Sequence, residues 1–162
     1  MEIRKIFEYA LQREREGKRF FEQNAGRLSH GAAVGVFQQL AKEEQKHIEF
    51  IQAQIDALEA EEPGVQPAPE IEGTGFFADR ADQEMIDQTV NESMVADLPV
   101  LRMAYLIERD FSEFYHQAAS KTEGDVKKAL EFRAHWEEGH ERLFKTLHDK
   151  AFERYAQMPW GG

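Results

Sequence analysis

The sequence contains no cysteine. That excludes disulfides, iron–sulfur clusters, thiolate zinc sites and a cysteine nucleophile, and it suits a reducing, cytoplasmic setting. Proline is scarce at 5 and glycine at 11 in 162 residues, so the chain is no low-complexity polymer. Positive charge is in deficit: 20 Lys and Arg stand against 31 Asp and Glu, for a net charge of −11. Neutralising phosphates needs the opposite balance, so no nucleic-acid partner is expected. No apolar run approaches roughly 18 residues, so no transmembrane helix and no membrane partner are expected. The first residues, MEIRKIFEYALQ, carry charges through any apolar core and do not read as a secretory signal. At roughly 150 residues per domain, residues 1–162 are expected to form one domain.

What the chain does contain is helical periodicity. Four segments nearly free of proline and glycine, 3–28, 32–60, 99–122 and 126–155, each carry a stripe at 3–4 spacing. The first runs Ile3, Phe7, Ala10, Glu14, Gly17, Phe21, Ala25. The second runs Ala33, Phe37, Leu40, Glu44, His47, Ile51, Ile55. The third runs Leu101, Ala104, Glu108, Phe111, Tyr115, Ala118, and the fourth Leu130, Arg133, Glu137, His140, Phe144, Leu147. Strand-type alternation is missing. Pro99 suits a first helical turn, and Asp125 reads as an N-cap.

Short connections at Ser29–Gly31 and around 121–125 make antiparallel neighbours, while 61–98 is long enough to cross a bundle. The expected fold is therefore all-α: a ferritin-like four-helix bundle of two antiparallel helical hairpins joined by a long crossover. Within the crossover, 79–94 carries a weak helical pattern.

The hairpins also repeat one another. Glu14, Arg15 and Phe20 align with Glu108, Arg109 and Phe114 at an offset of 94, and Glu44 and His47 with Glu137 and His140 at an offset of 93. Each otherwise apolar stripe thus carries the same intruders: glutamates at 14, 44, 108 and 137, and histidines at 47 and 140. Burying four ionised carboxylates together is costly without compensation. Two divalent cations supply it. Residues three apart share a helix face, so Glu44-x-x-His47 and Glu137-x-x-His140 each offer a carboxylate and an imidazole. One Glu from each of two helices plus Glu-x-x-His from the other two is the ligand set of carboxylate-bridged di-metal bundles. With 23 glutamates and 6 histidines, chance alone supplies roughly one Glu-x-x-His pair. A third pair, Glu113-x-x-His116, lies off its stripe and is read as accidental. The signal is the coincidence of repeat, stripe and topology.

The segments EREGKRFF (14–21), LAKEEQKH (40–47), ERDFSEFY (108–115) and WEEGHE (136–141) resemble the rubrerythrin-related branch of the ferritin-like superfamily. The resemblance covers the four helices, about two-thirds of the chain. It implies terminal carboxylates at Glu14 and Glu108, bridging carboxylates at Glu44 and Glu137, and one iron each for His47 and His140. Iron is the implied metal, with manganese or zinc also compatible with the donor set. The implied activity is oxidation of Fe(II) by oxygen or hydrogen peroxide, of ferroxidase or peroxide-reductase type. The alternative is a non-catalytic storage or delivery protein for iron or another metal. A homodimer or higher homo-oligomer is implied too, and the long connection permits hairpin exchange.

The chain also departs from the family pattern. Without cysteines there is no rubredoxin domain, so electrons must come from an external donor. Phe111 stands where the family has an additional glutamate, and Phe21 where it has a first-helix tyrosine. The counterpart Tyr115 is kept and is expected to hydrogen-bond a carboxylate ligand. Arg133, on the fourth stripe one turn before Glu137, is expected in a structural ion pair at the bundle edge, the alternative being a pair with a ligand carboxylate. His30, His116, His135, His148, Glu43 and Glu138 are expected to face solvent, and Trp160 is read as available to pack on a neighbouring subunit.

Overall fold

The computed structural model describes residues 3–60 and 92–159. Helix α1 spans Ile3–Ala25 and α2 Gly31–Glu59. A 3-10 helix, Glu92–Asp97, leads into α3, Leu98–Ala119, and α4 spans Gly124–Gln157. Among the described residues there is no strand, as the unbroken 3–4 periodicity requires. Most of the 79–94 pattern and Trp160 lie outside the described residues.

The hairpins are antiparallel. Arg4 of α1 meets Glu59 of α2 at 2.7 Å while Phe21 meets Phe37, and His116 of α3 meets Glu138 of α4 at 2.7 Å while Tyr105 meets His148. Between hairpins, α1 lies along α3, where Gly17 makes room for a ring: a Cβ there would stand 2.9 Å from Phe111 Cε2. The repeat thus places glycine in one copy against phenylalanine in the other, Phe111 being the counterpart of Gly17.

Two turns depart from expectation. Gly124 takes φ +62 and Glu123, in extended conformation, occupies the N-cap of α4 without a side-chain cap. Only glycine adopts that φ freely, and it turns the chain into the helix one residue early. Asp125 therefore lies inside the first turn, where its charge favours the helix dipole and pairs with Lys128 at 3.0 Å. At the other turn, the buried Asp97 carboxylate accepts the backbone N–H groups of Ser29 at 2.8 Å and His30 at 3.2 Å. The end of the crossover is thereby clamped to the α1–α2 connection.

Two apolar clusters fill the bundle. One is built around Phe21, Phe37 and Phe144, whose ring centroids lie 5.4–5.6 Å apart. The other is built around Phe7, Ile51, Phe111 and Leu130. Every stripe passes from one cluster to the other through its glutamate, so the four carboxylates converge on the layer between them. Among the described residues, no helix is long and apolar enough to cross a membrane.

Candidate metal centre

The structure brings all six sequence-predicted residues together. Glu14, Glu44, Glu108 and Glu137 have no solvent exposure, and His47 and His140 are buried. They form two groups whose donor atoms lie within 4.8 Å of one another: Glu14, Glu44 and His47, and Glu44, Glu108, Glu137 and His140. Glu44 belongs to both. His47 Nδ1 lies 3.3 Å from Glu14 Oε2 and from Glu44 Oε2, and 3.8 Å from Glu137 Oε1. His140 Nδ1 lies 3.2 Å from Glu137 Oε2 and 3.4 Å from Glu108 Oε2. The imidazoles are near-parallel, 6.2 Å apart.

Four further side chains surround the six. Tyr115 donates its hydroxyl to Glu14 Oε1. Glu43 is buried, with Oε2 3.3 Å from His140 Nε2; it does not face solvent as expected, because α2 turns it toward α4 alongside Glu44. Arg133 is not at the bundle edge. Its guanidinium is buried, with Nη2 donating to Glu14 Oε1 at 2.8 Å and to Glu137 Oε1, and lying 2.7 Å from His47 Nδ1. Trp136 sits edge-on to both imidazoles, at 5.8 and 6.0 Å. The sequence signal for Arg133 and Glu43 was available in the repeat, which sets them opposite Leu40 and Trp136.

The remaining candidates lie outside the centre. His116 and His135 are exposed, with His116 paired to Glu138. Glu113 is exposed and pairs with Arg109 at 4.0 Å rather than with His116. His30 and His148 are half-buried rather than exposed, His148 packing edge-on against Tyr105.

The family model described as Rubrerythrin matches residues 5–148, which include every residue of the centre. The chain belongs to the rubrerythrin family. This is a ferritin-like di-iron family, and no rubredoxin domain is indicated in the chain. Comparisons with curated proteins and with solved structures found no match.

The donor set fits the metal that the rubrerythrin family implies. Glu14 Oε2, Glu44 Oε1, Glu137 Oε2 and both oxygens of Glu108 are buried without a hydrogen-bond partner. Buried oxygens are seldom left so, because an unmet charged acceptor is costly. A cation is the partner that fits several converging lone pairs at once.

Protonation splits the carboxylates. Burial raises every one, but at Glu14 the Arg133 guanidinium outweighs it and holds the group well below the ordinary carboxylate range. Glu137 is likewise lowered against burial, by Arg133 and His140. Glu44 is raised well above its ordinary value by burial and by the charges of Glu14, Glu137 and Glu108. Burial lifts Glu108 to about 8, with only partial relief from His140. His140 is opposed by burial yet held above its ordinary value by Glu108, Glu137 and Glu43. His47 is lowered by burial and by Arg133. Without metal, Glu44 and Glu108 are thus pushed toward the protonated form while Glu14 and Glu137 are pushed toward the ionised one.

Proposed function

We propose that the chain is a non-haem di-iron oxidoreductase that oxidises Fe(II) with oxygen or hydrogen peroxide, in iron handling or oxidative-stress defence. The observation that supports it is the layer of four fully buried carboxylates with unpartnered oxygens, converging with two imidazoles. In this reading Glu14, Glu44 and His47 hold one ion, and Glu44, Glu108, Glu137 and His140 hold the other. Bound ferrous iron supplies the electrons that reduce the oxidant.

The chain's own residues do the rest. Glu44 joins the two groups. Tyr115 fixes one oxygen of Glu14 and leaves the other free to ligate, and Glu43 orients His140 through its outer nitrogen. A ligating group must be deprotonated, so loading would release any protons that these side chains hold. The two apolar clusters exclude water from above and below, which strengthens every charge interaction in the layer. Turnover beyond the first oxidation requires an external electron donor.

The test is an anaerobic Fe(II) titration of metal-free protein, followed by oxygen or peroxide with near-ultraviolet absorbance recorded. Two irons per chain and a new ferric band are expected. Rates with each oxidant, and peroxide consumption with a reductant, separate ferroxidase from peroxidase. Stoichiometric binding without turnover identifies a storage or delivery protein instead. Absence of binding overturns the di-iron reading.

A further inference from the structure

Arg133 is out of keeping with its position. Its counterpart in the first hairpin is Leu40, which is fully buried in the apolar cluster. Packing at this site in the fold therefore accepts hydrocarbon. Instead, one nitrogen, Nη2, faces Glu14 Oε1, His47 Nδ1 and Glu137 Oε1 together. A guanidinium nitrogen 2.7 Å from Nδ1 stands where an ion held by that imidazole nitrogen would have to sit. The same nitrogen also occupies lone pairs on two of the carboxylates. On the other side of the layer no guanidinium of the described residues stands among the donors, and Glu108 Oε2 faces the His140 ring at 3.4 Å.

The guanidinium is fastened through a single nitrogen. Nε and Nη1 are buried without hydrogen-bond partners, so the two-pronged fork that makes arginine pairs durable is not formed. Attraction to the carboxylates holds it, together with the face of Tyr115, 5.3 Å from Cζ.

We propose that Arg133 is a resident counter-cation that makes the two metal positions unequal and sets their order of filling. An ion enters the Glu44, Glu108, Glu137 and His140 group first. The Glu14, Glu44 and His47 group takes its ion only as Arg133 gives up those lone pairs. The inference rests on the two-metal reading above and goes beyond it, since the repeat alone predicts two equivalent positions.

The test uses the full chain, stripped of metal and titrated anaerobically with Co(II), by calorimetry and visible absorbance. Wild type is expected to bind in two steps separated by at least about tenfold in affinity, the scale of effects from groups that contact ligands. His140→Ala should remove the tight step and His47→Ala only the weak one, a comparison that leaves Arg133 untouched. Arg133→Leu, which installs the first hairpin's own residue, should bring the steps within about threefold. Arg133→Met carries the same test should the leucine variant not fold. Arg133→Leu should also lower the melting temperature of the metal-free protein and recover on loading, because Glu14 and Glu137 lose their cation. One ion in wild type and two in Arg133→Leu supports the proposal in its strongest form. Equal steps in wild type, an unchanged separation in Arg133→Leu or Arg133→Met, or loss of the tight step in His47→Ala overturns it and leaves the two-metal reading standing. No Co(II) binding by wild type and Arg133→Leu alike overturns the two-metal reading itself.

Discussion

Glu14 and Glu108 are counterparts in the repeat, equally buried in one layer, yet they differ in charge. Glu14 is held ionised by Arg133 and receives the Tyr115 hydroxyl; Glu108 is raised to about 8 and has only the partial relief of His140. The difference does not originate in either helix that carries them. Both Tyr115 and Arg133 belong to the second hairpin and reach across to the first. Their counterparts, Phe21 and Leu40, lie in an apolar cluster and have nothing to donate. Two copies of one ligand pattern therefore become different sites when the partner hairpin supplies different neighbours.

The largest effect on this comparison is expected from Glu44→Ala, which removes the one residue common to both groups. Metal content should fall from two ions per chain to none, measured by elemental analysis after loading.

Next comes pH. The unfolded carboxyl of Glu108 titrates near its ordinary value and the folded one at about 8. The folded state thus binds the extra proton between those values. Its stabilisation is complete below the unfolded value and is lost as pH rises through about 8, and the raised Glu44 adds in the same direction. Unfolding free energy of metal-free protein should fall by a few kcal/mol, order of magnitude, between roughly pH 5 and 8. Urea titrations across that window should show the fall, and Glu108→Gln should flatten it. A metal-free protein that gains stability over the same window contradicts the protonation pattern.

A smaller change makes the halves more alike. Tyr115→Phe gives the second hairpin the residue of the first, and removes a hydrogen bond to a buried ionised carboxylate. The expected cost is about 2 kcal/mol in the metal-free protein, read by chemical denaturation.

The smallest is Gly17→Ala. A methyl 2.9 Å from the Phe111 ring overpacks by roughly 1–3 kcal/mol, offset by roughly 1 kcal/mol of helix propensity. A net loss of about 1 kcal/mol is expected, and Phe111→Leu in the same chain should restore it.

Much of this architecture could be read before any coordinates. The stripes placed Phe37, Leu101 and Phe144 in the core, and the intruders at 14, 44, 47, 108, 137 and 140 could share a layer only if the helices paired as the short connections require. The parts that escaped depend on partners across the bundle. A single stripe shows that Arg133 faces inward, but not that Glu14 and His47 await it from the other hairpin. Glu43 looked solvent-facing because on its own helix it only flanks Glu44; the imidazole it meets is 97 residues away. Asp125 was misassigned because a positive φ at Gly124 is not encoded in capping preference. In retrospect the informative positions were those where the repeat fails, Leu40 against Arg133 and Glu43 against Trp136.

The Asp97 clamp carries a different consequence. Ser29 and His30 belong to the first hairpin, yet the carboxylate that holds their amides arrives with the second, 68 and 67 residues later. Loosening the second hairpin would strip that acceptor away even while the first stayed intact. Hydrogen exchange at these two amides should therefore follow the opening of α3 and α4 rather than of α1 and α2, an internal gauge of whether the halves of the bundle come apart together.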